Sequence, residues 1–308
     1  MADWQLNTPV AFLIFNRPDT TERVFEAIRA ARPPMLLVVA DGPRPGRQGE
    51  AELCQATRGI IDRVDWPCQV MTDFSDQNLG CKKRISSGLD WVFSKVEEAI
   101  ILEDDCLPHP TFFRFCEEML VRYRQDERVM MITGTNFLVD KLDIRESYCF
   151  SRYFAIWGWA TWKRAWDKYD LAMSGWEAYR EQDQLKSFYT QNFMRKHLSK
   201  AFDAVFRGEI DTWDYQWAYT CLFNNGLSIV PSLNMISNIG YVGVHTKART
   251  RNHDLPVFAI ELDQMIHPVH VMPNRLHDDP FFEMGFNKSL ASRIRKFFSK
   301  LFNYDSCR

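Results

Sequence analysis

Three consecutive carboxylates, Glu103-Asp104-Asp105, close the short apolar run Ile100-Ile101-Leu102. Adjacent acids cannot be buried without compensation, because each unpaired charge carries a large desolvation penalty and raises the pKa of the next. A divalent cation removes both costs. Oxygen-only ligands favour Mn²⁺ or Mg²⁺ over zinc, and a site with few protein ligands leaves coordination positions for phosphate oxygens. The alternative is a solvated acidic turn. Asp41 ends another apolar run in the same way. Its carboxylate can accept from a base N–H or a ribose hydroxyl, or merely start the Asp41-Gly42-Pro43 turn. Arg17, in Asn16-Arg17-Pro18-Asp19, can pair with a diphosphate through its guanidinium. The sequence holds no GxGxxG after its first apolar run and no GxxxxGK[ST], HExxH or GxSxG. Any bound phosphate must therefore be held by metal and side chains.

The elements that position these groups alternate. Apolar runs at 9–15, 35–40, 68–72, 99–102 and 129–133 read as buried strands. Helices are predicted from Thr20 or Thr21 to Ala31, over 82–95 and over 110–124. That order implies right-handed crossovers, a largely parallel sheet and an α/β fold. Parallel strands share one carboxyl edge, the ligand edge of such sheets, so Asn16, Arg17, Asp41 and the acidic triplet are predicted to converge there.

A chain of 308 residues fits one large domain, or one and a half, with a substantial core. A formal net charge of −2 argues against nucleic acid as the main partner. Eight scattered cysteines with no CxxC pair point to reduced thiols in a cytosolic compartment. No run approaches the ~20 apolar residues of a membrane span.

From Tyr148 the texture changes. Tyr153, Phe154, Trp157, Trp159, Trp162, Trp166, Trp176, Trp213, Tyr215 and Trp217 crowd residues 150–220, where flat rings could pack a core or stack on sugars. The expected division is a donor half over 1–147 and an acceptor half over 148–246. An irregular extension over 247–287 and a basic amphipathic helix over 288–308 follow. In that helix Leu290, Ile294, Phe297, Phe298, Leu301 and Phe302 share one face, with Lys288, Arg293, Arg295, Lys296 and Lys300 on the remainder. Residues 288–302 would either lie on an anionic membrane surface or pack on the protein.

The ordered set of motifs resembles the GT-A-fold nucleotide-sugar glycosyltransferases, and within them the N-acetylglucosaminyltransferase I type. Glu103-Asp104-Asp105 followed by a short loop and Phe112-Phe113 is similar to that family's metal-binding segment. Residues 11–17 resemble its first strand, ending in a phosphate-contacting arginine, and Val38-Val39-Ala40-Asp41 its second, ending in a uracil-contacting aspartate. Phe154 to Trp159 resembles its Gly-Trp acceptor loop, and Trp213-Asp214 the pair whose aspartate is the catalytic base. Val230-Pro231 through Asn238-Ile239-Gly240 to Gly243-Val244 is similar to its later strand and glycine loop.

Two departures stand out: the spacing from Gly158-Trp159 to Trp213-Asp214 is much longer, and the 82–95 helix lacks the family's histidine. The resemblance implies an inverting, Mn²⁺- or Mg²⁺-dependent transfer from a nucleotide sugar, with UDP favoured, to a glycan or lipid-linked acceptor. Asp105 would hold the metal, Asn16, Arg17, Asp41, Glu103 and Asp104 the donor, and Trp157, Gly158, Trp159 and Trp213 the acceptor. Asp214 would be the base, with Asp211 the competing candidate, and His245 could reach the diphosphate or the metal. A cytoplasmic enzyme of surface-polysaccharide or lipid-linked glycan synthesis, peripheral at the inner face of the membrane, is the expectation. A sugar-nucleotide pyrophosphorylase, or a non-catalytic carbohydrate-binding protein on the same fold, is the alternative.

Overall fold

In the computed structural model, residues 4–138, 144–240 and 255–286 are described. An eight-stranded sheet runs through both expected halves. Its order is β3 (Gln69–Phe74), β2 (Met35–Ala40), β1 (Val10–Ile14), β4 (Glu98–Glu103), β8 (Trp159–Trp162), β6 (Val129–Thr133), β9 (Leu227–Pro231) and β7 (Tyr148–Ser151). β3, β2, β1 and β4 are parallel, while β8 inserts antiparallel between β4 and β6. β9 continues parallel to β6, and β7 closes the edge antiparallel. The expected mixed α/β architecture, a mostly parallel sheet flanked by helices, is the one observed.

Strand alternation assigns the core to two faces. Val10, Phe12, Leu36, Val38, Ile100 and Leu102 face one apolar layer, which includes Phe112, Phe113 and Phe115. Ala11, Leu13, Leu37, Val39 and Ile101 face the other, with Trp159, Trp213 and Trp217. α1 (Pro18–Ala31) and α4 (Thr111–Tyr123) supply the first layer; α3 (Cys81–Phe93) and α8 (Asp214–Phe223) supply the second. α1 starts at Pro18, earlier than the threonines suggested. Proline at the first helical position has φ already set and lacks an N–H that would be orphaned anyway. Thr20 and Thr21 instead return their hydroxyls to Arg17 O, fixing Arg17 at the junction of β1 and α1.

Several elements were not foreseen. α2 (Glu50–Gly59) lies in a stretch with no apolar periodicity, and β8 is only four residues of aromatic-rich chain. α9 (Arg275–Phe286) occupies part of the segment read as irregular and contains Pro280, the kind of residue that argues against a helix. α5 (Lys163–Trp166), α6 (Trp176–Glu181) and α7 (Asn192–Phe206) build the helical region before α8. A two-stranded ribbon completes the site region: β5 (Cys106–Pro108) pairs antiparallel with β10 (Ile236–Asn238). Seven of the eight cysteines lie among the described residues, all as free thiols. No described helix is long and apolar enough to cross a membrane. His245, Gly243-Val244 and the 288–302 segment lie outside the described residues.

Candidate active site

The acidic triplet leaves β4 at its carboxyl end, next to the junction of β1 and α1. Arg17 Nη1 donates to Asp105 Oδ2 at 2.8 Å and lies 3.9 Å from Asp104 Oδ1. Asp104 Oδ2 also accepts from the Phe15 amide at 3.0 Å. Glu103 follows Ile101 by two residues and so faces the Trp159 and Trp213 side of the sheet. Glu103 Oε1 is buried and accepts no hydrogen bond among the described residues. Burial, and then the charges of Asp105, Asp104 and Asp214, push the Glu103 carboxyl well above the ordinary range, with Arg17 opposing. Asp104 is pushed up to about 7, chiefly by burial and then by Asp105, while Arg17 and the Phe15 amide pull the other way. Asp214 is thus electrostatically part of the same cluster, although 109 residues separate it from Asp105.

The ribbon places a glycine over this cluster. Ile239 N donates to Asp105 O at 2.8 Å, bringing Gly240 alongside. A Cβ at Gly240 would overlap Asp105 Oδ2 and come within 2.9 Å of Arg17 Nη1, so only glycine lets the backbone lie this close to the pair. Gly158 is constrained in a different way. Its φ of +55° suits glycine, and a Cβ would overlap Ile236 Cδ1 of β10. Gly158 therefore sets the seat of the ribbon.

Asp214 sits at the first turn of α8, where the helix dipole favours a carboxylate. Thr212 donates its hydroxyl to Asp214 Oδ1. Burial raises the Asp214 pKa, opposed by that hydroxyl and by backbone amides including Tyr215. Asp211 is exposed, and its Oδ2 would stand 2.9 Å from a Cβ on Gly80, so it borders the 77–80 loop.

Asp41 is held by its own turn and by the 78–80 loop. Its Oδ1 accepts from Gly42 N at 2.9 Å and Leu79 N at 2.9 Å, and its Oδ2 from Asn78 Nδ2 at 3.0 Å and Gly80 N at 3.2 Å. A carboxylate offers about four acceptor positions, and here all are taken by the 78–80 loop and its own turn. Asn16 is likewise engaged, its Nδ2 donating to Glu50 Oε1 at 3.0 Å beneath the Arg44 guanidinium.

The aromatic acceptor platform is corrected. Trp159 and Trp213 are 0% and 2% exposed and stack with centroids 5.7 Å apart, so neither ring face is open to a sugar. Trp157 is 8% exposed and packs edge-on to Phe137. Aromatics at this density make a core before they make a platform. The hydroxyl on Asp214 was not foreseen from sequence, although the spacing Thr-x-Asp ahead of a helix is a local hydrogen-bonding pattern that could have revealed Thr212.

No family model and no curated protein sequence matches this chain. Similar solved structures include mouse xyloside xylosyltransferase 1, at 9% identity and a TM-score of 0.32, covering 70% of this chain and 81% of that one. A cytidylyltransferase from Leptospira borgpetersenii overlaps at 9% identity and a TM-score of 0.32, over 53% of this chain and 64% of that one. This chain thus spans less than two thirds of that cytidylyltransferase's length. A UDP-glucose pyrophosphorylase complexed with UDP-glucose overlaps at 12% identity and a TM-score of 0.24, over 48% and 64% of the two chains. At these values the overlap assigns this chain neither a family nor an activity.

Proposed function

We propose that this chain is a metal-dependent glycosyltransferase. It moves a hexosyl or N-acetylhexosaminyl group from a nucleoside-diphosphate-sugar, UDP-linked by preference, to a hydroxyl of a glycan or lipid-linked acceptor. The observation that carries this reading is the clustering of Glu103, Asp104 and Asp105 beside Arg17, with the Asp214 charge acting on Glu103 and Glu103 Oε1 buried with no partner among the described residues. Three carboxylates beside one guanidinium, with a fourth acting on Glu103, crowd acidic groups at low dielectric, which an added cation would offset.

The residues suit a hard divalent ion: every donor offered is a carboxylate oxygen, and Glu103 Oε1 is buried with no partner among the described residues. Among the described residues no three His, Cys, Asp or Glu side chains form a ready-made cage. Asp105 would therefore hold Mn²⁺ or Mg²⁺ with substrate oxygens completing the shell, and Glu103 and Asp104 would orient it. When bound, the ion supplies charge neutralisation to the departing diphosphate.

The chain's own groups account for the rest. Arg17 pairs with diphosphate oxygens as the bond from the anomeric carbon to the leaving oxygen breaks, its electron pair staying on the phosphate. The acceptor oxygen forms the new bond from the opposite face, and its proton passes to Asp214. A carboxylate raised by burial is a stronger base than one in water, and the Thr212 hydroxyl holds one of its oxygens in place. Asp211, exposed beside the 77–80 loop, is the competing base. The likeness to the N-acetylglucosaminyltransferase I type is one of ordered motifs, and the buried Trp159 and Trp213 leave the acceptor to other surfaces.

Donor hydrolysis tests this reading. A transferase releases UDP slowly from a UDP-sugar in Mn²⁺ with no acceptor. A pyrophosphorylase instead needs a nucleoside triphosphate, and a binding protein turns over neither. Release of UDP abolished by EDTA is the expected result; triphosphate-dependent synthesis of the nucleotide sugar would replace the reading.

A further inference from the structure

The chain from Ile266 to Leu276 runs along the outer edge of the sheet, anchored to β7 at two points. Ser147 N donates to Ile266 O at 2.9 Å, and Ile266 N donates to Ser147 Oγ at 3.0 Å. Further on, Asn274 N donates to Phe150 O at 2.7 Å, beside a bridge between Phe150 and Pro273. The β7 anchors lie three residues apart, roughly 10 Å at strand rise. Their partners lie eight residues apart, so the chain between has surplus length, with His267 and Val271 turned inward and Val269 and Met272 outward. Val269 is 87% exposed, with Met272 at 60%, Leu276 at 70% and Ile266 at 45%. Pro268 and Pro273 bracket Val269 and Met272. Single exposed aliphatics are ordinary, but four within eleven residues of one segment mark a contact surface.

The sequence beyond α9 indicates the kind of contact. Residues 287–308 carry Lys288, Arg293, Arg295, Lys296, Lys300 and Arg308 against Asp305 alone. An apolar protein partner would have no use for that charge. A second copy of the chain would bring two such basic segments together, which repulsion opposes. An anionic lipid surface takes both parts, the aliphatic side chains below the headgroups and the basic ones among them. We propose that the Ile266–Leu276 ridge docks this protein on an anionic membrane surface, with the basic C-terminal sequence as its electrostatic partner. This rests on the ridge and the charge, not on the chemistry proposed at the sheet edge.

Flotation of the full chain with vesicles tests it, comparing pure phosphatidylcholine with phosphatidylcholine containing anionic phosphatidylglycerol. Wild type should float only with the anionic vesicles and be released at high salt. The triple variant V269D/M272D/L276D should bind roughly tenfold or more weakly, each aspartate replacing an aliphatic side chain that enters the lipid. Changing Lys288, Arg293, Arg295, Lys296 and Lys300 to Gln should weaken binding comparably. V269D alone, at the most exposed position, serves if the triple variant does not fold. Absence of wild-type binding overturns the proposal, as does binding by the ridge variants equal to wild type. A concentration-dependent dimer that V269D abolishes would identify a second copy as the occupant instead.

Discussion

β2 and β4 both end in acid at the same edge of the same sheet, yet the two ends are opposites. Asp41 meets four donors from its turn and the 78–80 loop, so its acceptor capacity is used by the fold. Glu103 has an oxygen with no donor among the described residues, and Glu103 and Asp104 are both raised by burial and by neighbouring carboxylates. Burial also raises Asp41, but the amides of Leu79, Gly42 and Gly80 work against it. The edge position alone therefore does not make a ligand site. What distinguishes one is acceptor capacity that the protein leaves unspent, and of these two strand ends it is the end of β4 that has it.

The comparison can be broken in several places. Asp214 belongs to the unspent end, so Asp214→Asn should lower kcat by about a hundredfold or more while donor affinity stays within a few-fold. If Asp211→Asn has the larger effect, the base is at the 77–80 loop instead. Asp41→Asn should destabilise the fold by about 3 kcal/mol, because an amide nitrogen replaces an acceptor that faces amide donors. Chemical denaturation measures this, and an unchanged midpoint would mean that the four bonds carry no weight. Glu103→Gln should do the reverse, raising Tm by a few degrees at alkaline pH, where the buried carboxyl is forced to ionise. A fall in Tm would show that the carboxylate is satisfied after all.

The smallest effect is a slope. Asp104 titrates near 7 in the folded chain against 3.8 for the ordinary group, so between those values the folded state binds more protons than the unfolded. Stability is then fully present below about pH 4 and is lost as pH rises through 7. Without divalent ions Tm should fall from pH 5 to pH 8, and Asp104→Asn should flatten that fall. A Tm rising across the same window would contradict the burial of unpaired carboxylates.

Much of the fold was legible because buried parallel strands are unbroken apolar runs, and β1, β2, β4 and β6 lie where those runs lie. β8 was not, since Trp159–Trp162 carries nothing that separates a short reversed strand from an aromatic loop. α2 was missed for want of an apolar stripe, and α9 because Pro280 reads as a helix breaker. At the site, Arg17 and the triplet were readable from position alone. The saturation of Asp41 was not, because three of its four donors come from residues 78–80, brought to it by tertiary structure. The resemblance implies an acceptor role for Trp159 and Trp213, and composition left core and sugar contact open, because it cannot tell a stacked pair in the core from one at the surface.

The central claim is that the end of β4 binds a nucleotide sugar through a divalent ion. Thermal unfolding of wild type and Asp105→Ala, with a UDP-sugar in the presence and absence of Mn²⁺, tests it most directly. Ligand at a hundred times its Kd stabilises by about 2.7 kcal/mol, a readily measured rise in Tm. The wild type should rise with the UDP-sugar only when Mn²⁺ is present, and a folded Asp105→Ala should not rise at all. A rise without metal, or an undiminished rise in Asp105→Ala, would contradict the account.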